Sequence, residues 1–134
     1  MGDLSYNFSR SEFACKCGCG LDRIDRDLVD NLQQARQAIG IPLPINCGCR
    51  CEAHNKSVGG KVNSAHLPFA DDYLCHAADL ECSNSHEMFI MLSDLIRRFR
   101  RVELGKTSKG KMWIHVDNRR DLPQEVIILE VREI

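Results

Sequence analysis

The run Met112-Trp113-Ile114-His115-Val116-Asp117 alternates as an extended strand does. Successive side chains of a strand point to opposite faces, so Ile114 and Val116 share one face while His115 and Asp117 share the other. One face is therefore apolar and suited to burial; the other carries an imidazole and a carboxylate side by side. On either side of this run, Val102–Leu104 and Val126–Val131 have the same β-branched or apolar content, and a polar turn from Gly105 to Lys111 joins the first of them to it. The three segments read as an antiparallel meander.

The amino-terminal half has the period of helices. Leu28, Leu32, Ala35 and Ile39 recur at helical spacing between Asp25 and Gly40, and Pro42 lies just beyond the glycine stop. Ile41 to Arg50 reads as extended and punctuated by proline, and Cys51–Val58 as a short helical turn closed by Gly59-Gly60. A second long helix is marked by Asn84 and Glu87 at capping-box spacing, with Met88, Leu92, Leu95 and Phe99 on one stripe. Arg97, Arg98, Arg100 and Arg101 crowd its last turn and read as charge complementing the helix carboxyl end, without chemistry. Helices beside hairpin-linked strands predict an α+β fold, a mainly antiparallel sheet with helices packed on one face. At 134 residues the chain is expected to be a single domain spanning 1–134.

Composition narrows the function classes. With 43% hydrophobic and 28% charged residues, a real core is expected and disorder is excluded. Eighteen basic against nineteen acidic side chains leave a net charge of −1, so no broad footprint for nucleic acid is present. No apolar stretch approaches the ~18 residues of a membrane span, and the first residues lack a basic start followed by an apolar run. The expectation is a protein made in the cytoplasm without a signal peptide, and a monomer.

Eight cysteines are many for this length, and six of them repeat one spacing: Cys15, Cys17, Cys19 and Cys47, Cys49, Cys51. If extended, each C-x-C-x-C run presents three sulfurs on one face. Structural zinc sites more often space their cysteines by two to four residues, so a thiolate metal site, a disulfide cluster and plain burial all stay open.

Three further segments combine histidine with carboxylate: Ser64-Ala65-His66, His76-Ala77-Ala78-Asp79 and Trp113 to Asp117. A hydrolytic zinc needs three protein ligands, neutral imidazoles and a carboxylate among them, with one coordination position left for water. Two histidines and one aspartate from these segments satisfy that need.

The blocks NFSRSEFACKCGCG (7–20), QAIG (37–40), INCGCRCEAHNKSVGGKVNSAH (45–66), HAADLECSNS (76–85) and RRVELG…WIHVDN (100–118) occur in an order that resembles the zinc D-alanyl-D-alanine carboxypeptidases and related peptidoglycan endopeptidases. Those enzymes share their fold with the hedgehog signalling domain. The resemblance runs from Asn7 to about Asp117. It implies that His66, Asp79 and His115 bind one zinc, that a peptide bond of a peptidoglycan stem peptide is the substrate, and that Arg50 and Ser64 help to hold it. Arginine suits that task because its fork pairs bidentately with a carboxylate.

Three departures from the family pattern stand out. His66 and Asp79 are thirteen positions apart where relatives usually have seven, as though residues around PFADDY were inserted; Asp72 is the runner-up ligand, and His76 could be drawn in with it. Cys47 and Cys49 occupy positions where serine and an aromatic residue are common. Some relatives also carry an acidic residue three positions before the last histidine ligand, where this chain has Met112. The candidate general bases are instead Asp117, which also suits an orienting role on His115, and Glu103 on the neighbouring strand. The resulting expectation is a zinc peptidase acting on the cell wall or in the periplasm, carboxypeptidase or endopeptidase, in the manner of a phage or prophage lysin. The alternative is a non-catalytic zinc-binding recognition module of the same fold.

Overall fold

Asp25 opens helix α1 (Arg26–Ile39): its carboxylate accepts the backbone N–H of Leu28 at 3.2 Å, satisfying one of the amides left over at a helix start. Gly40 closes the helix, and Leu28, Val29, Leu32 and Ala35 form its buried stripe. Each fully buried leucine contributes about 1.5–3 kcal/mol relative to an exposed one. These are the bounds that the hydrophobic period predicts.

The computed structural model describes the backbone of residues 2–132 and the side chains of residues 2–127. Among them, α1 is followed by β1 (Ile45–Cys47), α2 (Glu52–Ser57), β2 (Ala77–Cys82), α3 (Ser85–Leu95), β3 (Arg101–Thr107), β4 (Met112–Asp117) and β5 (Glu125–Arg132), with a 3₁₀ turn at Arg10–Phe13 ahead of them all. The strands form one sheet in the order β1-β2-β4-β3-β5. Every pairing is antiparallel except β3 with β5, which is parallel.

Register sorts the sheet into two faces, because directly opposed residues point the same way. Leu80, Ile114 and Leu104 form one apolar row, and Ala78, Val116 and Val102 the next. Helix α3 covers this face with Met91 and Leu95, and α1 packs against α3, so both long helices lie on the apolar side. The opposite face carries the row Asp79, His115 and Glu103, followed by Ala77, Asp117 and Arg101. The alternation read in 112–117 is thus the division between core and site. The α+β class and the mainly antiparallel sheet are as expected.

Four details differ from the sequence reading. The last three strands are not a meander: β5 lies on the far edge of β3 and runs parallel to it, because the other edge of β4 is already taken by β2. Strand β3 begins at Arg101 and extends to Thr107, leaving a tight turn closed by Thr107 N–H to the Lys111 carbonyl at 2.8 Å. Helix α3 stops at Leu95, so the arginines lie beyond it; Arg98 folds back onto Asp94, Phe99 reaches the core from outside the helix, and Arg101 enters the polar face of the sheet. Neither cysteine run is one extended strand: residues 15–19 form turns, and Cys47, Cys49 and Cys51 fall at the end of β1, in the core and at the cap of α2. Among the described residues no helix is long and apolar enough to cross a membrane.

Candidate metal centre and its cleft

Strand β2 supplies Asp79, β4 supplies His115, and the turn before the 67–75 loop supplies His66. His66 Nε2 lies 3.2 Å from Asp79 Oδ1 and 3.2 Å from His115 Nδ1, and His115 Nδ1 lies 2.9 Å from the same Asp79 oxygen. Three atoms from segments far apart in sequence therefore meet at one point.

The other nitrogen of each ring fixes which atom faces that point. His66 Nδ1 is 2.6 Å from the Gly48 carbonyl, which can only accept, so Nδ1 carries the hydrogen. His115 Nε2 donates in the same way to Asp117 Oδ2 at 2.7 Å. Two ring lone pairs and a carboxylate oxygen are thereby turned toward each other, an arrangement that repels itself unless a proton or a metal cation sits among them. Ligands held about 2.0–2.1 Å from a tetrahedral zinc lie roughly 3.3 Å from one another, close to the spacing found here. The donor set fits zinc in type, number and separation.

The electrostatics point the same way. Burial drives the His66 imidazole toward neutrality, but the Asp79 carboxylate outweighs it and lifts the pKa to about 10. Burial likewise opposes a charged His115, yet Asp117 and Asp79 raise it to about 8. Burial would raise the Asp79 pKa; the two imidazoles hold it well below the usual carboxylate range. The pocket is tuned for positive charge at its centre.

Asp117 lies behind His115. Its carboxylate is buried and also accepts from Arg101 Nε at 3.2 Å and from the Arg119 backbone N–H at 3.2 Å. Arg101 then reaches Glu103 at 3.2 Å and Glu125 at 2.9 Å, so one guanidinium ties three carboxylates together. The sequence reading gave Arg101 no role in the site; its alternation with Glu103, matching that of His115 and Asp117, was the available signal. Glu103 stands opposite His115 in the register and lines the same cavity of about 420 Å³. Met112 is on the apolar face, because an offset of three along a strand reverses the side-chain direction.

Arg50 and Ser64 border this cavity as well. Arg50 reaches the Asn55 side-chain oxygen at 3.0 Å and the Cys47 sulfur at 3.3 Å, with its third nitrogen 3.7 Å from Asp79 Oδ2. Ser64 Oγ accepts the His66 backbone N–H at 3.2 Å and so braces that histidine. Cys47, at a position where relatives commonly have serine, has its sulfur 3.6 Å from His66 Nδ1. Cys47, His66 and Asp79 are close enough to share an ion. The Nδ1 atom is already committed to Gly48, however, so the set meeting at Nε2 is the better one.

The runner-up ligands are engaged elsewhere. His76 bonds Asp72 through Nε2 at 2.8 Å, and its Nδ1 faces Asp25 at 3.4 Å and Asn118 at 3.3 Å. The extra residues between His66 and Asp79 fold back on themselves, Tyr73 N–H bonding the Phe69 carbonyl at 2.6 Å, while the Phe69 ring lies beneath the Arg119 guanidinium at 4.1 Å. The loop is thus accommodated to one side and leaves Asp79 on its strand.

With this geometry in place, comparison with known families is decisive: the family model for Peptidase M15 matches residues 6–117. The chain belongs to the Peptidase M15 family. Peptidase M15 members are zinc-dependent metallopeptidases, and the described chain has candidate groups for such a metal. A search among curated proteins found no match.

Proposed function

We propose that this Peptidase M15 chain hydrolyses peptide bonds in the stem peptides of bacterial peptidoglycan, as a carboxypeptidase or an endopeptidase, with His66, Asp79 and His115 holding a single zinc ion. The observation that carries the reading is the meeting of His66 Nε2, His115 Nδ1 and Asp79 Oδ1 within 3.2 Å of one another at the wall of an open cavity. When bound, zinc supplies a Lewis acid that polarises the scissile carbonyl and lowers the pKa of water at its open position.

The protein's own groups divide the remaining work. Glu103 is the general base in this reading: it faces the cavity across the register from His115, and Arg101 steadies its carboxylate at 3.2 Å. It takes the proton of the attacking water and returns it to the leaving amine. Asp117 is assigned the orienting role, since its oxygens are occupied by His115, Arg101 and the Arg119 amide. Arg50 offers its guanidinium to a carboxylate of the stem peptide, and Ser64 offers a hydroxyl beside it. A cavity of about 420 Å³ suits a short peptide segment. The fold is taken to be that of the D-Ala-D-Ala carboxypeptidases and the hedgehog domain, and the working form a monomer. A phage or prophage lysin that acts at the cell wall accounts for the substrate class.

The test is mass spectrometry of purified peptidoglycan after incubation with the protein. Release of fragments with new amino or carboxyl ends, abolished by chelator, is expected, and the fragment masses identify the bond. Glu103→Gln should lower the rate by about 10²–10⁴-fold with zinc content unchanged. Full activity in that variant would remove Glu103 from the base role. Full zinc content without any fragment release would instead favour a recognition module.

A further inference from the structure

The sulfurs of Cys15, Cys17, Cys19 and Cys51 all lie within 4.8 Å of one another, and none of the four lines the cleft just described. Cys15 Sγ is 3.4 Å from Cys17 Sγ, and Cys17 Sγ is 3.6 Å from Cys51 Sγ. A disulfide needs sulfurs about 2.05 Å apart. Four thiolates bound at about 2.3 Å to a tetrahedral zinc stand roughly 3.8 Å from one another. We propose that these four cysteines form a second, structural zinc site, separate from the His66, Asp79 and His115 centre.

Local structure explains why this unusual spacing converges. The loop turns back on itself through the Gly18 N–H to Cys15 carbonyl bond at 3.2 Å, and Cys15 N–H bonds the Leu21 carbonyl at 2.7 Å. Gly18 and Gly20 adopt φ of 85° and 89°, a region costly for other residues, so C-x-C-G-C-G coils and points alternate sulfurs to a common centre. Backbone amides are aimed at the sulfurs as well. Cys51 N–H approaches Cys15 Sγ at 3.4 Å, and His54 N–H approaches Cys51 Sγ at 3.4 Å. Such donors stabilise thiolate charge.

A four-sulfur shell leaves no open coordination position, so this metal supports structure and not catalysis. Its four ligands join the amino-terminal loop to the residue following Arg50, across 36 positions of sequence between Cys15 and Cys51. Cys49 N–H to the Phe13 carbonyl at 2.8 Å is the neighbouring tie between the same two segments. The ion would pin the cleft wall that carries Arg50 to the start of the chain.

The test uses the full-length protein purified under reducing conditions and loaded with zinc or cobalt alone. Wild type should bind two equivalents of zinc, and the cobalt form should show an intense sulfur-to-cobalt charge-transfer absorption. Cys17→Ser combined with Cys19→Ser alters only exposed side chains; it should lower zinc from two equivalents to one and abolish the sulfur absorption. His66→Ala should also leave one equivalent but retain that absorption, which separates the two centres. Independently of any variant, four thiols of the zinc-loaded wild type should resist a thiol reagent until chelator is added. A single equivalent in wild type without sulfur-to-cobalt absorption, or native-state disulfides among these four cysteines, would overturn the proposal.

Discussion

His115 shows how much a single residue's role depends on what lies behind it. Its ring presents Nδ1 to Asp79 and His66 only because Nε2–H is held by Asp117, whose carboxylate is in turn held by Arg101. Replacing Asp117 by Asn keeps the shape but removes the charge that fixes tautomer and ring angle. Asp117→Asn should weaken zinc at the His66, Asp79 and His115 centre by about 10–100-fold, read by competition with a chromophoric chelator. Unchanged affinity would show that the ring needs no such partner. The pairing of His115 with Asp117 on one face was legible because strand alternation is local; Arg101 was not, because its place depends on where β3 starts.

At the scale of elements, the end of β1 is pressed against the 3₁₀ turn that precedes α1. A Cβ added at Gly48 would stand 2.7 Å from Phe13 Cα and 2.8 Å from its carbonyl oxygen, both backbone atoms that cannot rotate away. The Gly48 carbonyl is also the acceptor for His66 Nδ1. Gly48→Ala should therefore cost about 1–3 kcal/mol, measured by urea unfolding against wild type, because overpacking forces the two elements apart. A midpoint equal to wild type would mean the contact is looser than 2.7 Å implies. Helix α1 and the start of α3 were readable from caps and periodicity. The close approach at Gly48 and the early end of α3 were not, since both are set by neighbours distant in sequence.

Across the whole molecule, His76 joins the inserted loop, the cap of α1 and the segment after β4. Its ring contacts Asp25, Asp72 and Asn118, and Asn118 in turn donates to Asp25 at 3.0 Å. Hydrogen bonding to Asp25, opposed by burial and reinforced by Asp72, raises the imidazole from 6.5 to about 9. A pKa raised by folding means that the charged form is favoured in the native state. Its contribution is fully present below the unfolded value of about 6.5 and is lost as pH climbs through about 9. Zinc-loaded wild type should lose stability across that window, and His76→Gln should lose less, as followed by urea midpoints at a series of pH values. Parallel curves for the two proteins would dismiss this linkage.

The sequence alone determined the apolar and polar faces of β4, the extent of α1 and the residue types suited to zinc, because periodicity, capping and donor chemistry act over a few neighbouring residues. Tertiary structure decided that Arg101 reaches Asp117 behind the histidines, that β5 runs parallel to β3, and that the two cysteine runs divide their sulfurs among three places. Those outcomes depend on register and loop closure between segments far apart in the chain, which no local pattern specifies.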